Sequence, residues 1–143
     1  MRSDRMVMRF VRLGWHRQAM LAEALAAIAA ASIAVRFLPF ERAVRLGSSR
    51  LAPWRLDCGE ICREARWSVV AVASRVPWRA VCFQRGLALQ WMLRRRGIDA
   101  RLHYGIGYDS NGDLAAHVWV EADRAIVLGA EDAPAFKSVA AFP

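Results

Sequence analysis

A chain of 143 residues with 56% hydrophobic residues is long enough to build one compact domain around its own core, which excludes a disulfide-stapled miniature. Its formal charge of +8 rests almost wholly on arginine, with Lys137 the single lysine, and the arginines are spread from Arg2 to Arg124. A nucleic-acid module would gather its cations on one face and interleave them with stacking aromatics, so no nucleic-acid partner is expected. The odd cysteine count, Cys58, Cys62 and Cys82, fits a reducing cytoplasm rather than a disulfide framework.

Residues 1–18 are rich in arginine, and residues 19–35 form an apolar, alanine-dominated run. A basic flank before an apolar stretch is the signature of signal peptides and membrane anchors. Glu23 interrupts the run, however, and a carboxylate inside hydrocarbon is costly. Alanine is also the best helix former. The expectation is a helix that is buried or faces a partner, with peripheral membrane contact as the next reading. Phe37-Leu38-Pro39-Phe40 ends it, because proline disfavours helix at the residue before it. Gly47-Ser48-Ser49 reads as a loop, which divides an N-terminal helical segment (1–50) from the rest (51–143), the two packing as one unit.

A second helix is expected from about Asp57 to Ser74, with Ile61, Ala65, Val69 and Val72 at helical spacing. Cys58 and Cys62 fall one turn apart on it. Zinc sites normally present a close cysteine pair as C-x2-C in a turn, so the pair is read as packing residues and no metal is expected. Val76-Pro77-Trp78 breaks the pattern. A third helix runs from about Arg79 to Arg96, with the stripe Cys82, Gly86, Leu89 and Leu93 on one face. Arg94-Arg95-Arg96 suit its last turn, and Gly97 supplies a left-handed stop.

Three strands follow. Ala100, Leu102, Tyr104, Ile106 and Tyr108 alternate with Arg101, His103, Gly105 and Gly107. Asp109–Asp113 is a turn cluster containing Asn-Gly. Ala116, Val118 and Val120 alternate with Ala115, His117, Trp119 and Glu121, and a tight turn at Asp123-Arg124 leads into Ala125–Leu128. Helices first and an antiparallel meander afterwards make an α+β fold.

Helix N-termini favour a thiolate, because their free N–H groups and dipole stabilise negative charge. Cys82 occupies such a first turn, and His117, among the small residues Ala115 and Ala116, is the best-placed base. His16 lies in the basic segment, and His103 on the adjacent strand. By residue type alone, this pair stands beside the plainer reading of a buried cysteine and a structurally bonded histidine.

The stretch Cys82–Gly105, CFQRGLALQWMLRRRGIDARLHYG, followed by AHVWVEAD at Ala116–Asp123, resembles the protease domain of lasso-peptide maturation proteins. It is similar to their split form, in which leader recognition resides in a separate small protein. The resemblance implies a transglutaminase-like, papain-related core, with a Cys-bearing helix packed on a small antiparallel sheet. It implies a cytoplasmic cysteine peptidase, without cofactor, that cuts the leader from a precursor peptide so that a partner cyclase can close the ring. Cys82 would be the nucleophile, His117 the general base, and Trp119 would pack beside the histidine in contact with substrate.

Many such relatives place an aspartate twelve residues after the histidine, where this chain has Gly129. A hairpin centred on Asp123-Arg124 sets His117 opposite Gly129 or Ala130 and leaves Asp123 about 20 Å away. Asp132, with Glu131 as the alternative, is therefore the expected third member; otherwise a backbone carbonyl or amide fixes the imidazole tautomer. Two other functions remain open: a transglutaminase-like amidase or acyltransferase, and a non-catalytic basic module for membranes or nucleic acid.

Overall fold

The computed structural model describes residues 14–46 and 59–143. The Gly47-Ser48-Ser49 loop and Cys58 lie outside the described residues. Among the described residues four α-helices come first: α1 (Trp15–Phe37), α2 (Phe40–Leu46), α3 (Gly59–Ala73) and α4 (Cys82–Arg95). The strands β1 (Ala100–Tyr108), β2 (Leu114–Ala122), β3 (Ala125–Leu128) and β4 (Phe136–Phe142) follow, with a 3-10 turn at Ala133–Ala135 before β4. This is the α+β order the sequence implied.

Met20, Ala24, Ile28, Ala31 and Ala34 recur at three- and four-residue steps and form the buried stripe of α1, which packs on α3 and α4. The chain leaves α1 at Leu38, as the Pro39 rule requires. Pro39 then opens α2, its carbonyl accepting from the N–H groups of Arg42 and Ala43 at 2.9 and 3.0 Å. Sequence reasoning ends at the break and misses this short helix. A proline that ends one helix is equally suited to start the next.

One ion pair ties α1 to the far end of α4. Glu23 accepts from Arg96 at 2.9 and 2.5 Å and lies 3.3 Å from Arg95. The acidic residue that interrupts the apolar run is thus turned inward onto the arginine cluster. Glu23→Ala should cost about 1–2 kcal/mol, because it strands a half-buried guanidinium, discounted for partial exposure. Urea unfolding reads this as a lower midpoint at unchanged slope.

The sheet is antiparallel throughout, in the order β3-β2-β1-β4. Asp123 and Arg124, with φ of 52° and 62°, form the tight β2–β3 turn that the sequence suggested. β4 is not foreseen by the sequence pattern. Its sequence, FKSVAAF, lacks clean alternation because a bulge shifts its register: Tyr104 faces Ala140 but Gly105 faces Ser138, skipping Val139.

Which face carries α4 is decided by Gly86. A Cβ there would stand 2.8 Å from Leu102 Cδ1 and 3.0 Å from Val118 Cγ1. The helix therefore rests on the face of Leu102, Val118 and Val120, all buried. Gln90 anchors its later turns by donating to Phe142 O at 2.9 Å. Successive strand residues point to opposite faces, so His103, His117, Trp119 and Glu121 lie on the face turned away from α4.

Candidate active site

Cys82 is the first residue of α4, half-buried and packed against the core cluster. Val81 caps the helix with extended backbone, and its N–H donates to Gln84 Oε1 at 3.1 Å. Gln84 thereby satisfies the cap N–H, while a helix leaves its own first N–H groups without intrahelical partners. The thiol sits beside those donors, which could meet a carbonyl oxygen gaining charge in acyl transfer.

His117 lies on β2, directly opposite Gly105 of β1. Its Nε2 is 3.1 Å from Gly129 O. A backbone carbonyl can only accept, so this bond places the proton of the neutral ring on Nε2 and leaves Nδ1 with the lone pair. The base nitrogen is therefore Nδ1. Gly129 follows directly on β3 with φ of 81°, and its carbonyl also accepts from Ala133 N at 3.2 Å. The acceptor thus comes from the twelfth residue after the histidine, as main chain rather than side chain.

Aromatic rings pack around the imidazole. Trp119 stands 6.1 Å from it and Phe136 5.2 Å, centroid to centroid. Trp119 in turn stacks at 5.4 Å on His103, whose Nε2 lies 3.2 Å from Glu121 Oε2. Sequence reasoning places Trp119 beside His117 and gives it contact with substrate. At 6% exposure, Trp119 supports the two imidazoles from below. The part missed in the sequence is Phe136, which arrives on the unforeseen β4; a main-chain acceptor is the alternative the sequence left open, and the structure supplies it from Gly129.

Neither Asp132 nor Glu131 hydrogen-bonds to His117. Asp132 is exposed and caps the 3-10 turn, while Glu131 points to Arg66 at 3.7 Å with its side chain 73% exposed. Among the described residues no hydrogen bond reaches Cys82 Sγ, and no group of metal-ligating side chains gathers. His16 is engaged elsewhere, 2.8 Å from Glu64. The fold thus brings His117, Trp119, His103 and the Gly129 carbonyl into one cluster. It leaves Cys82 one layer away, at the start of α4.

A helix with an N-terminal cysteine, followed by an antiparallel sheet carrying histidine on its second strand, is the arrangement the sequence resemblance implied. A family model described as transglutaminase-like superfamily matches residues 59–141, well over half the chain. The chain belongs to the transglutaminase-like superfamily. No curated protein and no solved structure matches it. Members of this superfamily are usually cysteine-based enzymes of a papain-like, hydrolase or transferase kind, and α3 to β4 is the part of this chain that carries that fold.

A cleft of about 340 Å³ lies between α3 and the β3 edge of this transglutaminase-like core, lined by Cys62, Arg63, Arg66, Val127, Leu128 and Gly129 among others. Gly129, whose carbonyl bonds to His117, is part of its wall. Gly129 is also sensitive to substitution. A Cβ would stand 3.0 Å from both His117 Nε2 and Trp119 Cβ, on a backbone that disfavours L side chains. Gly129→Ala should cost about 1–2 kcal/mol for the left-handed conformation alone and displace the imidazole besides. Gly129→Asp, which supplies the aspartate of the resembled family, should likewise impair rather than restore function. Denaturant midpoints of the two variants check the loss of stability.

Proposed function

We propose that this chain is a cysteine peptidase that removes the leader from a ribosomally made lasso-peptide precursor, freeing the core amine for a partner cyclase. The reading is supported by the CFQRGLALQWMLRRRG and AHVWVE motifs at their separation, by the superfamily match, and by Cys82 at a helix start. The observation that carries it is the bond from His117 Nε2 to Gly129 O, which leaves Nδ1 as the proton acceptor a thiol requires.

In this mechanism Nδ1 of His117 takes the Cys82 proton, and the thiolate attacks the scissile carbonyl. As the C–S bond stays and the C–N bond breaks, the imidazolium returns that proton to the departing core amine. Water, deprotonated by His117, then attacks the thioester and releases the leader as a carboxylate, restoring the thiolate. Backbone N–H groups at the start of α4 are the nearest donors for the oxyanion. The orienting third group is the Gly129 carbonyl.

Attack requires Sγ and Nδ1 within roughly 3–3.5 Å. In the present arrangement Cys82 belongs to the α4 layer, and His117 lies on the far face of β2. Catalytic hydrogen bonds often tighten only in the substrate complex. We place that closure in the complex with the precursor and the separate leader-recognition protein.

The test is mass spectrometry of a precursor peptide incubated with this chain, with and without the recognition protein. A single cut at the leader–core junction, accelerated by that protein and blocked by thiol alkylation, is expected. No cut with both proteins present, or a cut indifferent to alkylation, overturns the reading. A leader joined to an added amine instead of released as a carboxylate would make the chain an acyltransferase.

A further inference from the structure

The reactive cluster makes no use of α1, yet α1 is the most unusual surface of the molecule. One side of it, Met20, Ala24, Ile28, Ala31 and Ala34, is buried in the core. The opposite side is also apolar. At 100° per residue Trp15, Ala22, Ala26, Ile33 and Phe37 fall on one outward stripe, and each is exposed. Trp15, Ile33 and Phe37 are 84, 62 and 77% exposed, and Leu25, at the margin, 47%. A helix on the surface of a soluble domain normally turns polar residues outward. Here the one acidic residue of the helix, Glu23, is instead turned inward to Arg95 and Arg96.

Cations border this stripe. Arg36 stands beside its C-terminal end, and Arg42 is exposed on α2, just beyond Phe37 and Phe40, which is itself 42% exposed; Arg17, about half a turn round the helix from Trp15, lies over the Trp67 ring instead. The thirteen residues ahead of Gly14 add four arginines against one aspartate, in sequence terms. Glu41 is the acidic counterweight on α2. An apolar stripe edged by arginine on a chain of net charge +8 fits an anionic lipid surface.

Size argues the same way. A stripe about 34 Å long and about 10 Å wide offers roughly 350 Å². A stable protein interface needs about 800 Å² from each partner, so a second copy or a rigid protein groove would be served poorly by this face alone. A bilayer surface has no such threshold, because apolar insertion and lipid charge add along whatever length is offered.

We infer that the outward face of α1 docks the protein in the plane of an anionic membrane surface, leaving the α3–β4 core free on the other side. This inference is independent of the peptidase reading. α1 lies flat, with Trp15, Ile33 and Phe37 entering the acyl boundary and the flanking arginines meeting lipid phosphates.

The experiment is co-flotation of the full chain with vesicles of phosphatidylcholine alone and with one third phosphatidylglycerol. The wild type should float with the phosphatidylglycerol vesicles and much less with phosphatidylcholine alone, and added salt should weaken it. Ile33→Ser/Phe37→Ser changes only exposed side chains. It should lower partitioning by about tenfold or more while circular dichroism stays that of the wild type. Arg36→Gln/Arg42→Gln should lower it on anionic vesicles only. A wild type that stays in solution, or an Ile33/Phe37 variant that floats equally well, overturns the inference. So does sedimentation showing a dimer that the Ile33/Phe37 variant abolishes, together with no flotation, since the occupant is then a second copy. A wild type that binds the recognition protein through this face and ignores vesicles overturns it as well.

Discussion

Cys82→Ala should leave the fold intact and lower leader cleavage by at least about 10³-fold, the scale seen when a covalent nucleophile is removed and the remaining site catalyses only by binding and polarisation. The fold should survive because Cys82 is half-buried at a helix start, so the loss of one sulfur opens little cavity, and alanine is at least as good a helix former. The cap of α4 rests on Gln84 and Val81 and is untouched. His117→Ala should fall to a comparable rate, and the double variant should fall little further, because nucleophile and base act as one unit. Rates are read by mass spectrometry of the released leader. An alanine variant that cuts at the wild-type rate would remove Cys82 from the chemistry and the peptidase proposal with it. The pairing itself has a separate readout. If Cys82 and His117 meet only in the complex, alkylation of Cys82 by iodoacetamide should accelerate when precursor and recognition protein are added, and His117→Ala should abolish that acceleration.

Much of the fold is legible because it is periodic. The stripe of α4 and the alternation of β1 and β2 are strong patterns, and the elements begin and end within a few residues of where those patterns do. β4 and α2 are not legible, for different reasons. β4 is an edge strand with a bulge at Val139, so its side chains keep no single period, and Pro134 just ahead of it reads as a break. α2 hides behind a proline that reads only as a stop. The site is legible in its side chains and not in its main chain. Alternation alone groups His117 with Trp119, but it cannot say which face α4 will cover. That is settled by Gly86, the position on the helix where close approach to Leu102 and Val118 leaves no room for a Cβ. The hairpin reading sets His117 opposite Gly129 or Ala130; in the structure a bulge pairs Val120 with Leu128, and Gly129, just past the end of β3, meets the His117 ring through its carbonyl. The sequence leaves a backbone carbonyl open as the alternative to Asp132 or Glu131 but does not say which carbonyl, because every residue carries one. The positive φ at Gly129 is what aims it.

Gly105→Val should be a severely damaging change in the sheet, costing about 3 kcal/mol, and should silence the site along with it. Gly105 faces His117 across the β1–β2 pair, and its missing side chain is the space in which the Trp119 ring sits. A Cβ would stand 2.6 Å from Trp119 Cζ3, 2.8 Å from Cη2 and 3.0 Å from Phe136 Cβ. None of these atoms can retreat cheaply. Trp119 is pinned from behind by the stacked His103 ring, and Phe136 is fixed at the start of β4. The two rings that would be displaced are also the two that flank His117, so the strain passes straight to the imidazole and its bond to Gly129. Thermal unfolding should fall by roughly 10 °C for a chain of this length. Gly105→Ala should fall by less, and both should lose cleavage activity beyond what the unfolded fraction accounts for. A Gly105→Val protein melting within a couple of degrees of the wild type would mean that Trp119 is not wedged under β1 and that His117 is oriented by Gly129 alone.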